Sequence, residues 1–164
     1  MRFAPAAAAL SLFLATTASV ISAQDRAPDP RAASLIAQGE RALASGDTQG
    51  AIDAYEAALA VDPGYTPVFL ELAEVARTEG VQGKAIKYYR EALARDPGNF
   101  AAISGEGAAL VEKGALEKAK RNLARLQNLC GDACPDSLSL AVTIEAGPPA
   151  LLAADTADTA GASN

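Results

Sequence analysis

Apolar residues fall three and four apart in two stretches of this chain, and the two stretches carry nearly the same residues. Ala51, Ile52, Tyr55, Ala58 and Leu59 form one set, and Ala85, Ile86, Tyr89, Ala92 and Leu93 form the other. Steps of three and four place each set on one face of a helix. The sets lie 34 residues apart, Ala51 with Ala85, Tyr55 with Tyr89, Ala58 with Ala92 and Leu59 with Leu93. Gly46 with Gly80 and Pro63 with Pro97 keep the same interval. One period shared by small, aromatic and turn positions marks an array of helical hairpins. The breaks fit. Asp62-Pro63-Gly64 predicts a stop, because proline cannot continue the hydrogen-bond ladder and glycine accepts the turn. Thr66 is expected to cap the following helix with Pro67 at its first position, Asn99 to cap the next, and Gly46-Asp47 to turn the first hairpin.

These residues resemble the tetratricopeptide repeat, two antiparallel helices with small and aromatic positions followed by a proline. The first unit spans 32–65 (Leu35, Gly39, Ala42, Gly46, Ala51, Tyr55, Ala58, Pro63). The second spans 66–99 (Phe69, Leu72, Ala73, Ala76, Gly80, Ala85, Tyr89, Ala92, Pro97). The third, 100–133, keeps phase through Ile103, Gly107, Leu110, Gly114, Ala119, Leu123 and Leu126, but lacks the second-helix aromatic and the proline. The first unit departs as well, with Gln38 where leucine is usual. The resemblance implies an all-α solenoid of three helix-turn-helix units with a concave surface formed by the first helix of each.

That surface would be lined by Ile36, Glu40, Leu43 and Ala44, then Leu70, Glu74, Arg77 and Thr78, then Ser104, Ala108, Val111 and Glu112. For any single one of these, packing against a neighbour or plain solvation is the competing explanation. Members of the family that clamp a peptide's terminal carboxylate use several lysine, arginine and asparagine side chains. Here the lining offers Arg77 and three glutamates, which suits a segment with apolar anchors and basic residues better than an acidic tail.

Composition adds boundaries. The chain has 164 residues, half of them apolar and few aromatic, in keeping with one small helical domain. Its net charge of −6 gives no basic footprint for nucleic acid. The start, MRFAPAAAALSLFLATTASVISAQD, reads as a signal peptide over 1–23, with Arg2, an apolar run and small residues before a cut after Ala23. Ile21 is larger than that cleavage pattern prefers, so an uncleaved single-span anchor stays open as the alternative. Nothing later could span a membrane. Export, to a bacterial periplasm in this reading, would permit disulfides.

The chemistry of catalysis is sparse. The chain has no histidine, no nucleophile elbow and no phosphate loop ending in Gly-Lys-Ser or Gly-Lys-Thr. Gly105-Glu106-Gly107 is expected to serve close helix packing. No catalytic residue, metal site or cofactor is expected. Cys130 and Cys134 are the only cysteines, with three residues between them rather than the two of a redox pair. In an exported chain they read as a local disulfide that fixes the corner after the third hairpin, contributing about 1–2 kcal/mol. After it, 134–147 is expected to be a capping helix begun by Asp136 or Ser137, although Leu138, Leu140, Val142 and Ile144 also alternate as in a strand. The linker 24–31, disordered over Gln24–Asp29, and the tail 148–164 are expected to lie outside the fold.

The resulting expectation is a non-catalytic adaptor that holds a protein segment in its groove. Two alternatives stand beside it: a structural subunit of an envelope assembly using its convex or end surface, and a thiol-disulfide protein using Cys130 and Cys134.

Overall fold

A computed structural model describes residues 26–149. The signal segment 1–23 with its cleavage point, Gln24 and Asp25 of the linker, and the tail beyond Pro149 lie outside the described residues. Seven helices follow in order: α1 (Pro30–Ala44), α2 (Thr48–Val61), α3 (Pro67–Thr78), α4 (Gln82–Arg95), α5 (Phe100–Glu112), α6 (Leu116–Cys130) and α7 (Pro135–Ala146). Among the described residues there is no strand. The fold is the all-α solenoid expected, with α1 against α2, α3 against α4 and α5 against α6 as hairpins. The hairpins stack through α2 on α3 and α4 on α5, and α7 closes the end against both α5 and α6.

The 34-residue period has a backbone cause. The first helix of each hairpin ends in a left-handed glycine, Gly46 (φ 81°), Gly80 (φ 74°) and Gly114 (φ 78°). Past each glycine the next N–H reaches back five residues at 2.8 Å, Asp47 to Ala42, Val81 to Ala76 and Ala115 to Leu110. This closing bond satisfies a carbonyl that the helix end would leave open, and glycine takes the turn without a Cβ penalty. Asp47 then accepts from Gly50 N–H at 2.9 Å, so one residue ends the turn and caps α2.

The core repeats with the same step. Ala51, Ala85 and Ala119 are all fully buried where paired helices touch, and Tyr55 and Tyr89 fill the space beside them. Small partners make the fit possible. A Cβ added at Gly39 would lie 2.5 Å from the Tyr55 ring, and one at Gly107 would lie 2.6 Å from Leu140. A Cβ at Gly105 would collide with the Tyr89 ring, so the Gly105-Glu106-Gly107 stretch does serve close packing.

Several expectations need correcting. Thr66 precedes α3 but takes helical dihedrals (φ −53°, ψ −39°) and makes no side-chain cap; its hydroxyl is buried without a partner. Asn99 does cap α5, accepting from Ala102 N–H at 2.9 Å. The approach to α1 is ordered from Arg26, contrary to the disordered Gln24–Asp29. Arg26 donates to Asp62 at 2.7 Å, and the Asp29 N–H donates to the same carboxylate at 3.0 Å. This holds the approach against the stop after α2 and pulls Asp62 below the ordinary carboxylate range, first through the Arg26 bond and then through the Asp29 N–H. Asp29 also caps α1 by accepting from Arg31 N–H, so Pro30 and Arg31, placed in the linker, belong to the helix.

The segment after the cysteines is a helix within the expected 134–147, with Cys134 rather than Asp136 or Ser137 at its cap and Pro135 at its first position. Its alternating apolar residues resolve at helical spacing. Leu140 is buried and Ile144 packs on the core, whereas Leu138 and Val142 face out. Cys130 and Cys134 face each other across the corner with their Cα atoms 5.8 Å apart and sulfurs at bonding distance.

Candidate partner-binding groove

The first helices α1, α3 and α5 set the groove positions, because the left-handed glycines fix each hairpin in the same orientation. Nine of the twelve positions read from the sequence divide into three sorts, and the other three, Arg77, Ser104 and Glu112, are half-buried. Leu43, Ala44, Glu40, Glu74 and Thr78 are exposed. Ile36 and Leu70 are half-buried, leaning on the core beside Tyr55 and beside Tyr89 respectively. In the third hairpin the surface has been used up. Val111 is 1 % exposed and belongs to the core, so it does not line the groove, and Ala108 is buried. The physical reason is α7. Its Leu140 packs over Gly107, and Ser104 Oγ donates to the Asp136 carbonyl at 3.3 Å.

What remains between α3, α5 and α7 is a small pocket of about 230 Å³, bounded by Glu74, Arg77, Ser104, Ala108, Asp136 and Thr143 among others. Glu74 and Arg77 on its wall belong to a wider hydrogen-bonded set. The Tyr89 hydroxyl donates to Glu74; Arg77 donates to Glu74 at 2.8 Å and to Glu112 at 3.0 Å; Gln82 donates to Glu112 at 2.9 Å. Burial, then the bond to Glu74, raises Tyr89 far above its ordinary pKa, so the phenol keeps its proton. Burial also raises Glu112, with Arg77 opposing. The set bridges hairpins two and three and holds the one groove arginine away from solvent partners.

Sequence reading missed four contributors. Glu71 stands one turn before Glu74, and that spacing was the available signal. It is raised above the usual carboxylate range by partial burial and then by Glu40 and Glu74. The hydroxyls of Tyr55 and Tyr89 were read only as core. Gln82, on the second helix of its hairpin, carried no signal. Among the described residues no three His, Cys, Asp or Glu side chains converge in a way that could hold a metal ion, and no helix is long and apolar enough to cross a membrane.

Residues 36–100 match the tetratricopeptide repeat family model. The tetratricopeptide domain of Sgt2 from Aspergillus fumigatus is 25 % identical over 75 % of this chain and 88 % of its own, with a TM-score of 0.64. The first such domain of Spaghetti (RPAP3), solved with the HSP90 peptide SRMEEVD, is 22 % identical over 73 % of this chain and 98 % of its own, TM-score 0.63. A mutant O-GlcNAc transferase of Thermobaculum terrenum is 24 % identical over 70 % of this chain, TM-score 0.60, but this chain spans only 22 % of that one. No curated protein matches the sequence.

Proposed function

We propose, for a chain that is a small tetratricopeptide-repeat protein, that it works without catalysis as an adaptor, holding a segment of a partner protein against α1 and α3. The observation that carries this is the unequal use of the groove. The chain's own α7 occupies the third hairpin's share, while Leu43, Glu40, Glu74 and Thr78 remain exposed on the first two. A solved relative of this fold holds a peptide, which supports a segment as the ligand. In this reading the chain is exported to a periplasm and cut after Ala23, and Cys130 and Cys134 form a disulfide that sets the angle at which α7 returns onto α5.

Cross-linking in the native compartment tests the adaptor reading, with a Leu43→Lys/Leu70→Lys variant beside the wild type and melting measured for both. Capture that disappears in a folded variant supports the groove; unchanged capture refutes it. Mutating both cysteines to serine should lower stability by no more than about 2 kcal/mol and leave capture intact. A loss of thiol turnover instead would favour the redox alternative. A second reading has its own observation, since Leu138 and Val142 on the outer face of α7 are 54 % and 65 % exposed. If that end surface seats a neighbouring subunit, Leu138→Lys/Val142→Lys removes capture and the groove variant does not.

A further inference from the structure

The concave face of the first two hairpins carries three carboxylates, and its arginine, Arg77, is already paired with one of them and with Glu112. Glu40 lies on α1, and Glu71 and Glu74 lie a turn apart on α3. Arg77 directs all three of its nitrogens to Glu74 and Glu112. Glu40 and Glu71 have no ion pair among the described residues. Beneath them stands Tyr55, 0 % exposed, with its hydroxyl buried and unpartnered. The edge of its ring presses on Gly39, next to Glu40. Glu71 stands one period before Gly105, whose added Cβ would meet the Tyr89 ring and hydroxyl, so the same step sets Glu71 against Tyr55. Burial, then Glu71 and Glu40, pushes the Tyr55 phenol up to about 12.

The neighbouring hairpin shows what this position can do. Tyr89, 34 residues on, donates its hydroxyl to Glu74, and Glu74 in turn receives an arginine. At the first position the tyrosine and the carboxylates are present, but the cation is not. A buried hydroxyl without a partner is uncommon and calls for an explanation. The carboxylates are too spread to form a metal cage. Leu43, exposed, and Leu70, half-buried, offer apolar surface along which an alkyl stem could lie.

We propose that Glu40, Glu71 and the Tyr55 hydroxyl form a subsite for a lysine or arginine side chain of the partner segment. The inference rests on the groove reading above and gives it a charge preference. The incoming cation supplies at the first hairpin what Arg77 supplies at the second. It neutralises two carboxylates that otherwise repel each other, and it brings N–H donors to a phenol oxygen able to accept. An acidic tail is repelled from the same place.

The test uses the full chain and two fluorescent peptides of equal length, one alternating leucine with lysine and one alternating leucine with glutamate, read by anisotropy at moderate salt. The lysine peptide is expected to bind more tightly. Glu40→Gln/Glu71→Gln should weaken it about tenfold, since two partly exposed ion pairs are worth roughly 1–2 kcal/mol together. Glu91→Gln/Glu117→Gln removes the same charge outside the groove and should change it less than about twofold. Tyr55→Phe, which keeps the ring, should weaken it a few-fold. Equal weakening by the two glutamate pairs overturns the subsite in favour of diffuse charge. If both peptides bind, both are lost in Leu43→Lys, and Glu40→Gln/Glu71→Gln has no effect, the groove survives and the subsite falls. If neither peptide binds, both readings fall.

Discussion

Replacing Gly105 with alanine sets two effects of opposite sign against each other, and the structure decides which wins. Gly105 lies within α5, where alanine in place of glycine ordinarily gains about 1 kcal/mol from helix propensity. Here the added Cβ would meet the ring of Tyr89 below any tolerable distance. The ring has little room to retreat, because Tyr89 is 1 % exposed within the main core cluster and its hydroxyl is held by Glu74. Overpacking at a filled site costs about 1–3 kcal/mol, and loosening a hydrogen bond to a charged acceptor adds about 1.5–3 kcal/mol if the bond breaks.

The expected net change is therefore a loss of up to about 2 kcal/mol while the bond holds and up to about 5 kcal/mol if it breaks. Gly83 provides the control. It is exposed near the start of α4, and the nearest atom to a Cβ there is Lys113 Nζ at 4.0 Å. Gly83→Ala should leave stability unchanged or raise it by up to about 1 kcal/mol. Urea unfolding followed by far-ultraviolet circular dichroism measures both, with a lower midpoint and unchanged slope expected for Gly105→Ala. A Gly105→Ala protein as stable as Gly83→Ala would refute the packing that ties Tyr89 to α5.

Other expectations rest on separate features. Leu140→Ala should lose about 2–4 kcal/mol, because Leu140 is 1 % exposed against Ile103 and Leu126; amide exchange should rise first in α7, and uniform exchange would count against a separable cap. Glu71 is raised in the folded chain by partial burial, then by Glu40 and Glu74, with Tyr55 also facing it. Between the unfolded value and the raised folded one, the folded chain holds a proton that the unfolded chain has released. The contribution of Glu71 therefore falls as pH rises above the ordinary glutamate value of about 4.3, and at neutral pH the charged carboxylate is a cost. Glu71→Gln should melt higher than wild type at neutral pH, with the gain shrinking toward about pH 4; a constant difference would contradict the shift. Asp62 has the opposite sign, since its lowered pKa contributes stability at neutral pH that is lost on acidification. Arg26→Ala should reduce that loss in a series of melting curves, and identical acid profiles would mean that the Arg26 contact does not hold in solution.

Local rules made the hairpins legible. The left-handed glycines, the fully buried alanines and the two core tyrosines all follow from neighbours within one repeat or the next. Contacts that leave the repeat could not be read this way. Arg26 and Asp62 are 36 residues apart with no pattern joining them. Thr66 has the right chemistry for a cap, but helical dihedrals exclude the bond. Val111 looks like a surface apolar residue by spacing and became core because helices cover α5 on both sides. Glu71 was overlooked because the groove was taken from every first helix at one fixed set of positions.

The repeats agree where they pack and differ where they face the groove. The sequence Ala51, Ala85, Ala119 does not vary, but Glu40, Glu74, Ala108 and Leu43, Arg77, Val111 do, each at the same 34-residue step. Position Ala37, Glu71, Gly105 changes most, from small to acidic to none. Small residues gather in the third hairpin, and that is where α7 approaches, with Leu140 over Gly107 and the Asp136 carbonyl on Ser104. The larger acidic and apolar residues gather in the first two, where no element of the described chain covers them. The chain's own helix takes the smooth part of the groove, and the charged, uneven part stays uncovered by the described chain. A change that made Ala108 large would therefore disturb α7, whereas the same change at Glu40 would meet no element of the described chain.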